Sequence, residues 1–193
     1  MINSILIYFF GFYLVTFSLV GEWLEASMVR HVLIQIPLLI LLGYLFGSQY
    51  LKNNRILLLI NEKGLAGILL CIFIGSYWML PRALDASLAN PMLAVAKYFS
   101  LPFLVGIPLA ISWGKLHSIA RAVIKIEFLT MLFRLGWLYL VSPNRLCNFY
   151  QLNDQALVGK YFLIIAVVIS GYFIWKIFSL DYSESKTDRE IST

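Results

Sequence analysis

The sequence predicts an all-α membrane protein, a polytopic bundle of about six transmembrane helices. Hydrophobic residues make up 61% of the 193 residues and charged residues only 13%, whereas about a quarter of an ordinary soluble domain is charged. Six apolar runs also approach the roughly 20 residues that cross a bilayer as a helix. Together these observations favour a single domain of packed membrane helices.

The predicted spans follow one another at about residues 5–20, 31–50, 64–80, 98–113, 120–141 and 157–180, and residues 181–193 form a polar tail. The first run has no Lys or Arg before its apolar core, so it lacks the basic segment of a secretory signal and is interpreted as an uncleaved span. Gly43 and Gly47 form a small-xxx-small packing pair in the second span. Pro81 closes the third span, and Pro102 and Pro108 are expected to kink the fourth.

Orientation follows from the distribution of basic residues near the ends of the spans. Alternate loops and the C-terminus hold Lys52, Arg55, Lys63, Lys115, Arg121, Lys125, Lys176, Lys186 and Arg189. The remaining loops hold Arg30, Arg82, Lys97, Arg145 and Lys160. The first set has more basic residues than the second, which predicts an integral protein of the inner (cytoplasmic) membrane with both termini, and so the tail, in the cytoplasm.

The predicted topology brings three stretches together on the outer face, at residues 22–35, 78–90 and 142–159. We expect their polar side chains to form an outer-face cluster, comprising Glu22, Glu25, Arg82, Asp85, Arg145, Asp154 and Gln155. Asn153 or Asp154 could instead serve only as the N-cap of the last span.

The net charge of +5 is spread over loops and helix ends without a dense basic run, which argues against nucleic-acid binding. Cys71 falls in an apolar run and Cys147 in a polar loop, and no CxxC spacing suggests zinc. Gly-rich phosphate loops, HExxH, GxSxG and paired catalytic carboxylates are missing from the sequence, so we predict a protein that is not an enzyme.

His31 and Met28 are the candidate metal ligands. Positions 28, 31 and 35 share one face of a helix, so a thioether, an imidazole and the Gln35 amide would line one stripe. An imidazole with a thioether suits copper. Alternatively, His31 makes a hydrogen bond at the head of the second span while Met28 packs against lipid.

The predicted fifth span carries an intramembrane polar stripe of Glu127, Thr130 and Arg134. A charge in hydrocarbon normally faces the bundle interior and a partner. Glu127 and Arg134 are about 10 Å apart along the axis, so a direct bridge is expected to be strained, and Arg134 is expected to pair with Asp154, Glu25 or Glu22. The stripe is either a proton or ligand path or a tie between helices.

Three segments suggest a family. SMVRHVLIQIPLLILLG resembles the HMxxHxLLxxxxPPLLxxG signature of the CtaG-like membrane proteins, which are implicated in assembling caa3-type haem-copper oxidases. MLPRALDASLANPMLAVAKYFSLPFLVGIPLAISW is similar to a later segment of that family, and NDQALVG to the entry of a late span. The resemblance covers roughly residues 27–113 and 153–160.

The chain departs from the family pattern at its histidines. Ser27-Met28 stands where the family has a first histidine, and the later histidine pair, expected between Asn90 and Ser100, is missing. The predicted spans are also one fewer than the usual seven. The implied copper chemistry therefore carries over only to His31, with Met28 beside it.

The resemblance implies an accessory or assembly factor for a copper-containing membrane enzyme, a haem-copper respiratory oxidase, with its site on the outer face. Its expected partners are the subunits of that enzyme complex and the membrane lipids. One alternative is a structural integral-membrane subunit of a larger complex. A second alternative is a small transporter or channel, supported by the polar stripe.

Overall fold

The computed structural model describes residues 20–51, 57 and 61–191. The predicted first span, 5–20, lies outside the described residues except for its last position. Within these ranges the chain is helical, without β-strands, as predicted. The helices are α1 (Gly21–Glu25), α2 (Met28–Leu51), α3 (Leu65–Trp78), α4 (Pro81–Ala89), α5 (Pro91–Ser112), α6 (Ser118–Val141) and α7 (Leu152–Ile191).

By length and composition, three of the described helices could cross a membrane: α2, α5 and the Leu152–Lys176 part of α7. The pair α3 and α4, bent by 70°, makes a fourth if it is counted as one broken span. This number is smaller than the predicted six. The predicted fifth span is indeed helical, as α6, but its 24 residues carry Arg121, Lys125, Glu127 and Arg134, which sets it apart from the apolar spans.

Two prolines fix the starts of helices. Pro81 begins α4, where its missing N–H has no intrahelical partner to lose. Pro91 begins α5, and the backbone N–H of Met92 donates to the side-chain oxygen of the N-cap Asn90 at 2.8 Å. Because α5 begins seven residues before the predicted 98, Lys97 belongs to a helix interior and not to a loop.

Helix α7 also begins earlier than predicted, at Leu152 instead of 157. Asp154 therefore lies in the first turn, where its charge favours the helix dipole, and does not occupy the N-cap. The helical backbone continues to Ile191, through most of the segment predicted as a polar tail.

Helices α2 and α5 pack backbone against backbone. A Cβ added to Gly43 would overlap the Pro102 backbone, and one on Gly47 would lie 3.0 Å from the Ile107 Cα. The predicted small-xxx-small pair is confirmed, and it is used within the chain. The close approach brings the side chains near the start of both helices into direct contact.

Helices α2, α5 and α7 begin at one end of the bundle, where α3 and α6 finish. At that end the Trp78 indole donates to Ser100 Oγ at 2.7 Å, joining α3 to α5. At the opposite end Asn61 Nδ2 donates to Ser112 Oγ at 2.7 Å and Lys115 donates to the Asn61 carbonyl at 2.8 Å. The first end carries a buried group of charged and polar side chains.

Candidate functional site: a buried lysine network

His31 lies at the centre of this buried group. Its side chain is fully buried. Its Nδ1 lies 2.7 Å from the Tyr150 hydroxyl, and its Nε2 lies 2.9 Å from Nζ of Lys97. The imidazole therefore links α2 to α5 and to the loop before α7.

Lys97 is the fixed positive charge of the group, and its side chain has no exposure. Its Nζ donates to Glu25 Oε1 at 2.6 Å, to His31 Nε2 at 2.9 Å and to Gln35 Oε1 at 3.4 Å. An ammonium has three N–H donors, so each donor has an acceptor. The ammonium can be buried because each of its donors is hydrogen-bonded and a carboxylate compensates its charge.

Gln35 and Tyr98 complete the surroundings of the Glu25 carboxylate. Gln35 Nε2 donates to the Tyr98 hydroxyl at 2.6 Å and to Glu25 Oε1 at 3.2 Å, and Tyr98 donates to the same oxygen at 3.2 Å. One carboxylate oxygen thus accepts from three donors. We call these residues the Lys97 network: Glu25, His31, Gln35, Lys97, Tyr98 and Tyr150.

The hydrogen bonds assign the protonation of His31. The Tyr150 hydroxyl donates to the Glu25 backbone carbonyl at 2.9 Å, so its oxygen accepts from the Nδ1–H of His31. Nε2 is then the acceptor for the Lys97 ammonium, and the imidazole is neutral. Burial, followed by the nearby carboxylate of Glu25, raises the pKa of Tyr150, which keeps its hydroxyl protonated.

The predicted face of positions 28, 31 and 35 points into the protein. Met28 is fully buried in the hydrophobic core. The expectation that Met28 packs against lipid is therefore wrong, because α1, α5 and α7 cover the start of α2. The alternative in which His31 makes a hydrogen bond at the head of this helix agrees with its two contacts.

The loop before α7 closes over the network. Asp85 on α4 accepts from the backbone N–H of Asn148 at 2.6 Å and of Phe149 at 3.5 Å. Gln155 accepts from the Leu146 N–H at 2.9 Å. Burial, with Asp85 nearby, raises the pKa of the Cys147 thiol to about 12, so this cysteine stays protonated.

The predicted outer-face cluster is thus divided. Glu25 belongs to the network, and Asp85 and Gln155 hold the loop that covers it. Glu22, Arg82 and Arg145 are exposed, and Asp154 is half-buried in the first turn of α7.

The intramembrane stripe follows a different pattern from the predicted one. Arg134 donates to Glu127 Oε1 at 2.6 Å, and both side chains are exposed, by 64% and 56%. The expectation of a strained bridge is wrong because two long side chains extend toward each other along two helical turns. Thr130 donates to the Ile126 carbonyl at 2.7 Å and so bonds its own helix.

The donor set at His31 does not fit a copper ion. Both ring nitrogens already have hydrogen-bond partners, and the partner at Nε2 is a cation. Among the described residues, no three His, Cys, Asp or Glu side chains gather as a metal site. The copper expectation is therefore supported by the sequence resemblance alone.

Searches of protein-family models, curated proteins and solved structures found no significant match to this chain. The CtaG-like resemblance and the function that it implies accordingly stay predictions.

Sequence reasoning missed Lys97 as a site residue. The charge pattern assigns it to a loop, although it falls between Asn90 and Ser100, where the resemblance predicts a histidine pair. The start signal Asn90-Pro91, an N-cap residue followed by proline, would have placed Lys97 two turns inside a helix. Tyr98 and Tyr150 had no such signal, because tyrosines near span ends are expected in any membrane protein.

Proposed function

We propose that this protein is a non-enzymatic accessory or assembly factor that binds another membrane subunit through α6. The observation that carries the proposal is the exposed ion pair of Glu127 and Arg134, which lies halfway along this helix. The closed hydrogen bonding of the Lys97 network supports the same view, because its ammonium and imidazole are engaged with one another and are not presented to a substrate.

The depth of the ion pair follows from the helix length. Glu127 is nine residues after Ser118, and Arg134 is seven residues before Val141, or about 13 Å and 10 Å from the two ends. Helix α6 packs closely along α7: a Cβ on Gly159 would lie 2.9 Å from the Gly136 carbonyl oxygen. Since α7 is long and apolar enough to cross a membrane, we place α6 beside it and the ion pair near mid-depth.

A charged pair at that depth needs a polar neighbour. A single charged side chain at the bilayer centre costs about 2.5–3.5 kcal/mol on insertion scales, and pairing removes only part of this cost. Ile126, Phe128 and Trp137 are exposed near the pair, so much of the surface next to it is apolar. We infer that the partner is a transmembrane helix with an apolar face and one or two polar side chains opposite Glu127 and Arg134.

A cavity beside the pair provides room for such a helix. It has a volume of about 580 Å³ and is lined almost entirely by apolar side chains of α2, α3, α5, α6 and α7, with Glu127 among them. Cavities of this size are typical of sites that hold a small molecule, which is comparable to a few side chains. The side chains of a partner helix would fill it while its polar group meets the ion pair.

The number of spans, their orientation, the membrane and the identity of the partner are part of the same proposal. Six spans are supported by the six apolar runs of the sequence. Two cytoplasmic termini in an inner membrane are supported by the distribution of Lys and Arg. A haem-copper respiratory oxidase as the partner is supported by the resemblance. Lipids surround the remaining apolar surface.

Photocrosslinking in native membranes tests the proposal. A photoreactive residue at Phe128 should capture a specific membrane protein, and the same residue at Val168, which is also exposed but lies on α7, should not. The double change Glu127→Gln/Arg134→Gln should abolish the Phe128 adduct. Capture of lipid alone at Phe128 would refute the proposal. An intramolecular adduct with residues 5–20 would also refute it, because the first predicted span of this chain would then occupy the place of the partner.

A role in copper assembly is the second candidate. It is supported by the resemblance alone, whose two longer segments include His31 and Lys97. Deletion of the protein should leave a copper enzyme metal-poor and underassembled. A permanent structural subunit would instead co-purify at fixed stoichiometry with an enzyme of normal copper content.

The transporter alternative loses its main support. Its polar stripe consists of an ion pair closed on itself and a hydroxyl bonded to its own helix. Flux through proteoliposomes of the purified protein would be the observation that restores it.

A further inference from the structure

We propose that Glu25, His31 and Gln35 form the ligand shell of a divalent-cation site that the chain fills with its own Lys97 ammonium. In the native protein this side chain excludes a metal ion. The inference concerns the Lys97 network and does not depend on the partner proposed for α6.

The convergence of the acceptors carries the argument. A carboxylate oxygen, an imidazole nitrogen and an amide oxygen all point at one atom, Nζ of Lys97, from 2.6, 2.9 and 3.4 Å. They come from two different helices and converge in a fully buried location. Carboxylate oxygen and imidazole nitrogen are ordinary zinc ligands, and the shell contains no thiolate or thioether of the kind that selects Cu(I).

The surroundings of His31 also match those of a metal ligand. A ligating histidine almost always donates its second ring N–H to a fixed acceptor, which sets its tautomer and orientation. Here Nδ1–H donates to Tyr150, and the Tyr150 hydroxyl is fixed in turn by the Glu25 carbonyl. Nε2 is thereby held as a lone-pair donor toward the position of the ammonium.

The Lys97 ammonium prevents a metal ion from binding between Glu25, His31 and Gln35. It supplies the positive charge that the buried carboxylate requires, and it lies where a metal would bind. A second cation at that point would meet direct repulsion from Nζ. Only withdrawal or removal of the Lys97 side chain would vacate the shell.

Zinc binding by the purified full-length chain tests the proposal. Wild type should retain no Zn²⁺ after dialysis, whereas Lys97→Ala should retain about one equivalent per chain. Zn²⁺ should raise the melting temperature of Lys97→Ala and leave that of wild type unchanged. Lys97→Ala/His31→Ala should lose the bound zinc, and Lys97→Ala/Tyr150→Phe should bind it roughly 10–100-fold more weakly.

Lys97→His is a second variant in case Lys97→Ala does not accumulate, because its imidazole would add a fourth ligand to the three of the shell. Added Zn²⁺ should then increase the yield of either variant. The proposal is overturned if folded Lys97→Ala and Lys97→His bind no more zinc than wild type, or if zinc recovers neither when they do not accumulate. It is equally overturned if wild type binds one equivalent that His31→Ala removes.

Discussion

Two ion pairs among the described residues have the same length but opposite surroundings. Lys97 to Glu25 and Arg134 to Glu127 both measure 2.6 Å. In the first pair the lysine side chain is fully buried and the glutamate is 21% exposed, whereas in the second the side chains are 64% and 56% exposed. The two pairs therefore differ in burial and not in length, and we infer their different roles from burial.

The buried pair joins elements that are far apart in sequence, and the exposed pair joins two turns of one helix. Lys97 and Glu25 are 72 residues apart and share a network of six side chains. Arg134 and Glu127 are seven residues apart on α6. We infer that the first pair specifies the fold and the second pair is available to a partner.

The largest expected effect comes from removing one charge of the buried pair. Lys97→Met leaves the Glu25 carboxylate uncompensated and should destabilise the protein by about 3–5 kcal/mol. Thermal unfolding of the detergent-purified chain, or its abundance in membranes, would measure this loss. The double variant Glu25→Gln/Lys97→Met should recover much of it, and a Lys97→Met variant as stable as wild type would refute the role of the pair in the fold.

The second effect concerns the spacing of α2 and α5, which brings Lys97 to Glu25. A Cβ on Gly43 would overlap the Pro102 backbone, so Gly43→Ala should separate the helices and destabilise by about 1–3 kcal/mol. Gly75→Ala in α3 is the matched control, because a Cβ there meets nothing within 4 Å and helix propensity favours alanine by about 1 kcal/mol. Equal melting temperatures for the two variants would contradict the packing argument.

The third effect isolates His31 from the ion pair beside it. His31→Ala removes two buried hydrogen bonds and should cost about 1–3 kcal/mol. His31→Gln, whose amide can replace part of this bonding, should restore most of the stability, and Met28→Leu should cost less than about 1.5 kcal/mol. Membrane abundance and melting temperature measure all three; loss of function in His31→Gln at normal abundance would instead support a metal-ligand role.

Local patterns in the sequence predicted one side of the network. The spacing of Met28, His31 and Gln35 indicated a single face, and Gly43 with Gly47 indicated a close helix contact. Both features depend only on helical periodicity. The partners across the bundle were not accessible in the same way, because no local pattern relates position 25 to position 97.

The errors have physical reasons. Lys97 resembled a loop charge because burial of a lysine depends on acceptors supplied by distant residues. The rise of the backbone predicts a strained bridge from Arg134 to Glu127, but the length of the two extended side chains allows a contact of 2.6 Å. The six predicted spans include α6, whose four charged residues set it apart from the described helices that are apolar enough to cross a membrane.

The smallest expected effect on the isolated chain comes from the exposed pair, and it gives the sharpest test of the comparison. Glu127→Gln/Arg134→Gln removes both charges at once, so no unpaired charge is left. An exposed pair is worth about 0–1 kcal/mol, and the melting temperature of the purified chain should hardly change. Retention of the partner in mild detergent should nevertheless fall, because the amides replace a charge-assisted contact with a weaker one.

Arg121→Gln, a change of charge on the same helix but outside the pair, should leave partner retention intact. Equal loss in Arg121→Gln would indicate that net charge matters and the pair does not. A large drop in melting temperature for the double variant would instead show that the exposed pair, like the buried one, holds the fold.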